Sequence, residues 1–244
     1  MSYQVFAQVY DAIMDETLYD RWAHYVAQTM PHSQSSILEL ACGTGALAVH
    51  LKKQGLQVTG LDLSENMLTL AQDRALAAGV ELPLIEGDML DLTEIGTFDM
   101  VTCFSDSLCY MPDETAIKKV FEQVFQVLNQ EGVFVFDVHS LYQMDQIFPG
   151  YMFNDNQEDI AFMWQSYAGE VPHSVEHELT FFVYEPETAS YQRYDELHKE
   201  RTYELTVYQQ LLKEAGFQSV TCTAEFGQEA MQETSTRWFF ECKK

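Results

Sequence analysis

Glu39-Leu40-Ala41-Cys42-Gly43-Thr44-Gly45 is the stretch on which the fold turns, together with Asp62, which stands 17 residues beyond Gly45 at the end of a second apolar run. Ile37 to Ala41 reads as a buried strand carrying one acid, Glu39. Gly43 and Gly45 then let the backbone turn tightly and approach a ligand with no side chain in the way. The helix that starts at about Ala46 offers free N–H groups and a positive dipole end to an anionic group. Asp62 sits where a carboxylate can accept both hydroxyls of a ribose. Together these parts describe an adenosine-binding site in an α/β sheet.

Strands and helices alternate outward from this stretch. The apolar runs predict strands at 36–41, 57–61, 82–86 and 98–104, with helices at 46–54, 64–78 and 113–128 between them. Ser64 and Asp113 are the expected N-caps. Gly132 opens a fifth strand, Val133-Phe134-Val135-Phe136, whose unbroken apolar character suits a central parallel position. Before all of these, helical spacing covers residues 3–29 and places Tyr3, Phe6, Tyr10, Tyr19 and Trp22 on one segment, either as core or as a lid. After residue 140 the pattern changes to period two, and residues 159–201 read as three antiparallel strands. A helix at 206–215 and strands at 217–226 and 234–242 restore the α/β pattern. The expected domains are therefore 1–139 with 206–244, and an inserted antiparallel β subdomain at 140–205.

Composition narrows the function. The formal net charge is −25, from 13 basic and 38 acidic residues, and such a surface repels a phosphate backbone, so nucleic acid is not expected as a partner. No apolar stretch approaches the roughly 18 residues that span a bilayer, and the opening Met1-Ser2-Tyr3-Gln4 lacks the regions of a signal peptide. A cytoplasmic protein is expected. Cys42, Cys103, Cys109, Cys222 and Cys242 include no Cys-x-x-Cys pair and read as free thiols, with no metal site.

Ligands of a doubly wound sheet bind at the carboxyl ends of its strands. Glu39 to Gly45, Asp62, Gly87-Asp88-Met89 and Phe104 to Tyr110 all stand at such ends. Asp88 can accept a hydrogen bond from an adenine amino group, and Met89 can lie against the ring. The glycine loop alone also fits the looser dinucleotide pattern of an NAD-dependent oxidoreductase.

The full set of segments resembles the class I S-adenosylmethionine-dependent methyltransferases. The resemblance is carried by Glu39 to Gly45, Leu61-Asp62-Leu63-Ser64-Glu65-Asn66-Met67, Glu86 to Met89, Phe98 to Phe104 and Gly132 to Asp137, in order across residues 36–138. It implies a Rossmann-like seven-stranded sheet whose antiparallel last strand, 234–242, lies between two parallel ones, with a helical N-terminal lid and a small β insert. It implies S-adenosyl-L-methionine as cofactor, with its methionine part held by Ala41, Cys42, Gly43, Thr44 and Gly45 beside Glu39, and its ribose by Asp62. Leu63, Met67 and Met89 would flank the adenine, and Asp88 would take its amino group. Tyr10-Asp11 with Met14, and Asp106-Ser107 with Tyr110, narrow the resemblance to the glycine and amino-sugar N-methyltransferase branch and bring Tyr10, Phe104 and Ser107 into the cofactor site. The amino-sugar enzymes carry a histidine where this sequence has Tyr110.

A base is needed only to remove a proton from the methyl acceptor. The candidates are Tyr110, His139, His177 and His198; Tyr110 and His139 follow strands four and five and are expected to face the donor. His173 and His177, four apart in a strand with no third ligand, read as surface residues. Trp164, Tyr167, His177, Tyr191 and Tyr194 of the insert are the expected lining for a small-molecule acceptor, with N-methylation favoured over O- or C-methylation. The insert also offers a sheet edge through which two copies could pair as a homodimer. A protein that binds S-adenosylmethionine without turnover is the second alternative.

Overall fold

The computed structural model describes residues 17–244. The apolar runs become β1 (Ser36–Leu40), β2 (Gln57–Asp62), β3 (Leu84–Glu86), β4 (Phe98–Cys103) and β5 (Leu128–His139), which pair in parallel. The crossovers hold α2 (Ala46–Lys53), α3 (Glu65–Ala78) and α4 (Glu114–Val127), preceded in the chain by α1 (Thr17–Thr29). Ser64 Oγ accepts from the Met67 amide and Asp113 from the Ala116 amide, so both expected caps form. After α5 (Leu205–Ala215), β10 (Ser219–Thr223) and β11 (Arg237–Lys243) complete a seven-stranded sheet of order β10-β11-β5-β4-β1-β2-β3. β11 runs antiparallel between β10 and β5, as the family resemblance implies. The order reverses between β1 and β4, which places the ligand crevice at their carboxyl ends.

A separate antiparallel sheet contains β6 (Met152–Asn156), β7 (Ile160–Ala168), β8 (Ser174–Glu185) and β9 (Ser190–Arg201). It has four strands, not three. The missed strand, Met152-Phe153-Asn154-Asp155-Asn156, is almost wholly exposed, so it shows no alternation of apolar and polar residues. β5 begins at Leu128, directly after α4, and a register shift between Phe98 and Met100 absorbs the extra residues; Gly132 lies within the strand and does not open it. β10 is shorter than expected because the chain turns at Glu225–Gly227, where Phe226 takes φ 56°. Tyr3, Phe6 and Tyr10 lie outside the described residues.

Two apolar layers hold the main sheet. One contains Phe121, Phe134, Phe136, Tyr208 and Phe240; the Phe136 and Phe240 rings stack with centroids 4.5 Å apart across β5 and β11. The other contains Trp22, Tyr25, Ile37, Leu51 and Phe239. Each such buried side chain stabilises by about 1.5–3 kcal/mol. A third cluster joins the second sheet to the first: Met67 of α3 packs with Phe162, Leu179 and Phe181. All five cysteines are free thiols. Among the described residues, no helix is long and apolar enough to cross a membrane.

Candidate active site

The carboxyl ends of β1, β2 and β4 open into a cavity of about 390 Å³. Its first half is built by the glycine loop. Ala41 follows β1 with φ 51°, in left-handed backbone that costs about 1–3 kcal/mol for a non-glycine residue. Gly43 has φ 54°, and a Cβ added there would meet nothing within 4 Å. At Gly45 a Cβ would lie 2.8 Å from Ala71 Cβ, so only glycine lets α2 start this close to α3. Asp62 ties the loop to β2: Oδ2 accepts from the Gly43 amide at 2.8 Å and Oδ1 from the Ser64 amide at 2.9 Å.

This half is acidic, and among the described residues no cation pairs with Glu39 or Asp62. Glu39 is buried, and its Oε2 makes no hydrogen bond. Burial, reinforced by the nearby Asp62 carboxylate, raises the Glu39 carboxyl to about 8. Burial raises Asp62 too, against the amide hydrogen bonds that it accepts. A ligand with a positive group beside Glu39 would supply the missing partner.

The wall between the halves is an ion-pair network. Ser105 and Asp106 both take left-handed backbone, φ 56° and 53°, in the turn after β4. The Asp106 amide donates to Asp137 Oδ1 at 2.9 Å, and the Arg237 guanidinium of β11 binds both Asp106 and Asp137. Burial alone would raise the Asp106 carboxyl, yet Arg237 and His139 hold it well below the usual carboxylate range. Trp22 Nε1 donates to Asp137 Oδ2 at 2.8 Å, and the Trp22 ring stacks on Phe104 at 6.1 Å. With Leu18 and Tyr19, Trp22 lines the cavity from α1, so this helix is both core and cover.

The second half comes largely from the other sheet. Phe148, Phe162, Trp164 and Leu179 are its apolar walls, and Tyr110, His139, His177, His198 and Glu200 supply polar groups. His139 Nε2 lies 3.1 Å from Asp106 Oδ2 and 3.6 Å from Glu200 Oε2. His177 Nε2 lies 3.5 Å from Glu200 Oε1. Tyr110 Oη bonds to His198 Nδ1 at 3.2 Å. Asp106, His139 and Glu200 bring ligand-type atoms within 4.8 Å of one another, but the Arg237 guanidinium already supplies a positive charge to Asp106.

Comparison with known proteins agrees with this geometry. Residues 37–132 match the model of the methyltransferase domain family. A candidate methyltransferase of Geobacillus sp. strain WCH70 is 45% identical over the whole of both chains. The chain belongs to the class I S-adenosylmethionine-dependent methyltransferases. An S-adenosylmethionine-dependent methyltransferase from Clostridium acetobutylicum ATCC 824 superposes with TM-score 0.83 at 26% identity, covering 98% of this chain and 96% of that one. The sugar N-methyltransferase from Streptoalloteichus sp. ATCC 53650 shares the fold, with TM-score 0.76 at 19% identity over 98% of this chain and 92% of that one. The reading as an NAD-dependent oxidoreductase is set aside by these relationships, and the protein is an enzyme. The methyltransferase uses S-adenosyl-L-methionine, and its residues fit that cofactor: the orphaned Glu39 carboxylate suits a cationic group, and the Gly43 cradle is open where a side chain would block a ligand.

The cavity brings together Glu39, Ala41, Cys42, Gly43, Thr44, Asp62, Met67, Phe104, Ser107, Tyr110 and His139. It does not bring in every residue expected there. Gly45 lies behind the loop, against Ala71. Leu63 is 71% exposed beside Asp62. Asp88 accepts from the Leu90 amide and Met89 packs against the main core, and neither is among the residues that line the cavity. Tyr10 lies outside the described residues. Three corrections follow from strand period two. His177 is not a surface residue: it faces inward with Val175, Leu179 and Phe181 and is 3% exposed. Tyr167 stands an odd step from Trp164, and Tyr191 an odd step from His198, so both point outward and are 47% and 52% exposed. Asp106, Glu200 and Arg237 also belong to the cavity, although nothing in the sequence reading above places them there. The signal for Glu200 was its even step from His198; Arg237 carried none, because its role depends on β11 lying beside β5.

Proposed function

We propose that the methyltransferase N-methylates a small-molecule amine held between the glycine loop and the second sheet. The observation that carries this reading is that one cavity runs from Glu39, Gly43 and Asp62 to an aromatic box with acids and imidazoles at its end. In this reading Glu39 holds the ammonium of the cofactor's methionine part and Asp62 its ribose hydroxyls. Met67 flanks the adenine, with Leu63, Asp88 and Met89 on its outer side. When bound, the cofactor supplies a methyl group already activated by a sulfonium. The chain's own residues then have two tasks, to orient the acceptor in line with that methyl and to exclude water. Trp22, Phe104, Phe148 and Trp164 close the cavity with rings and serve the second task.

The acidic composition favours a cationic amine over a phosphate ester and speaks against nucleic acid. The shared fold with a sugar N-methyltransferase supports transfer to nitrogen. Residues 140–205 act as an inserted subdomain for the acceptor, within a cytoplasmic enzyme. Its outer strand β6, with Met152 and Phe153 exposed, is the edge through which a homodimer would pair.

Trp164 and Tyr191 separate the two faces of the insert and provide the test. Trp164→Ala should raise the KM of a methylated amine at least roughly tenfold, because it removes an aromatic wall, while S-adenosylhomocysteine affinity stays within about twofold. Tyr191→Ala, on the outer face, should change neither. Loss of cofactor affinity in Trp164→Ala with unaltered acceptor kinetics would reverse the assignment of the two halves.

A further inference from the structure

Glu200 of β9 is 6% exposed, lines the cavity, and has an oxygen, Oε2, without a hydrogen-bond partner. Its neighbours are committed elsewhere. Asp106 is bound by Arg237 and lies 3.1 Å from His139 Nε2, so that nitrogen carries a hydrogen and donates. Trp164 Nε1 can only donate, and it bonds to His177 Nδ1 at 3.1 Å. His177 Nδ1 is therefore the acceptor, and Ser166 Oγ, at 2.7 Å, donates to it as well. The hydrogen of a neutral His177 then sits on Nε2, which is buried without a hydrogen-bond partner and lies 3.5 Å from Glu200 Oε1, close enough to orient the carboxylate electrostatically. Burial pushes His177 down to about 4, which keeps it neutral at pH 7. The Tyr110 hydroxyl also favours the ionised form of this carboxylate. Tyr110, His139 and His177 thus surround this carboxylate, and Glu200 Oε2, buried without a hydrogen-bond partner and 3.6 Å from His139 Nε2, is the oxygen left to accept a proton from a ligand.

We propose that Glu200 binds the ammonium form of the acceptor and takes its proton, with His177 as the residue that positions the carboxylate. The proposal rests on the reading of the enzyme as an amine N-methyltransferase. The N–H bond of the acceptor ammonium breaks, its electron pair stays on nitrogen as the nucleophilic lone pair, and the proton forms an O–H bond on Glu200 Oε2. The Phe148 and Trp164 rings, 6.1 Å apart, give the ammonium aromatic walls. Burial, opposed by His139 and reinforced by Asp106, raises Glu200 to about 7, with the Tyr110 hydroxyl and Arg237 also opposing. A base titrating there suits proton transfer near neutral pH.

The test compares two ligands by calorimetry. Sinefungin resembles S-adenosylhomocysteine but carries a primary amine where the transferred methyl group would stand. At pH 8 the wild-type enzyme should prefer sinefungin by roughly tenfold or more, through its charge-assisted contact with ionised Glu200. The preference should fall as pH drops through about 7, because Glu200 then takes up a proton. Glu200→Gln should bring the two affinities within about twofold of each other and leave that of S-adenosylhomocysteine unaltered. Asp195→Asn removes the same charge from an exposed site on β9 and should keep the preference. If Glu200→Gln fails to fold, judged by loss of S-adenosylhomocysteine binding, Glu200→Asp moves the carboxylate by one carbon and should show a reduced preference. His177→Phe, which removes the Nε2 hydrogen, should move the pH midpoint upward, and His177→Gln should restore it. A wild-type preference retained in Glu200→Gln, or no preference in the wild type, overturns the role of Glu200. Failure of the wild type to bind S-adenosylhomocysteine would be a different result and would overturn the cofactor site itself.

Discussion

Arg237→Met is expected to destabilise the folded enzyme by about 3–5 kcal/mol at pH 7, because it strips the cation from two buried carboxylates. Asp137 is fully buried, the Asp106 side chain is 14% exposed, and the same guanidinium binds both. Asp106 is held below the usual carboxylate range, so its contribution is present above the unfolded value of about 4 and is lost as pH falls toward its native value. The deficit of the variant should therefore be largest at neutral pH and shrink as pH falls from about 4 toward the depressed native value of Asp106. Urea unfolding at the two pH values measures it. A loss under about 1 kcal/mol at pH 7 would show that the pair is already screened. Because Asp137 also accepts from Trp22 Nε1, the variant should loosen α1 over the cofactor half as well.

Asp62→Ala should weaken S-adenosylhomocysteine by roughly a hundredfold. Loss of the charge-assisted pair that we propose Asp62 makes to the ribose accounts for about 1.5–3 kcal/mol. The structure adds a second effect: the same carboxylate fixes the Gly43 and Ser64 amides, so its removal also frees the loop that cradles the ligand. Calorimetry on the folded variant reads the sum. An affinity within about threefold of the wild type would remove Asp62 from the site.

Much of the first half of the chain is legible in the sequence because its constraints are local. Gly43 and Gly45 sit in left-handed backbone. Ser64 and Asp113 cap the helices that they precede, and β5 is apolar throughout its centre, as a doubly covered strand must be. The acceptor half is less legible because it depends on which face of a strand turns inward. His177 shows the point: its spacing from Val175, Leu179 and Phe181 marks the inner face, whereas its spacing from His173 suggested a surface pair. β6 gave no signal because one exposed strand needs no apolar period. Arg237 lies 100 residues from Asp137, and only the insertion of β11 beside β5 brings them together.

We propose that this enzyme moves a methyl group to the nitrogen of a small amine. Mass spectrometry of a panel of small primary and secondary amines, incubated with S-adenosylmethionine bearing a trideuteromethyl group, tests it most directly. The label is expected on nitrogen in at least one amine, with transfer that fails in Glu200→Gln. Label found only on hydroxyl or carbon acceptors, or only in protein or nucleic acid, would contradict it.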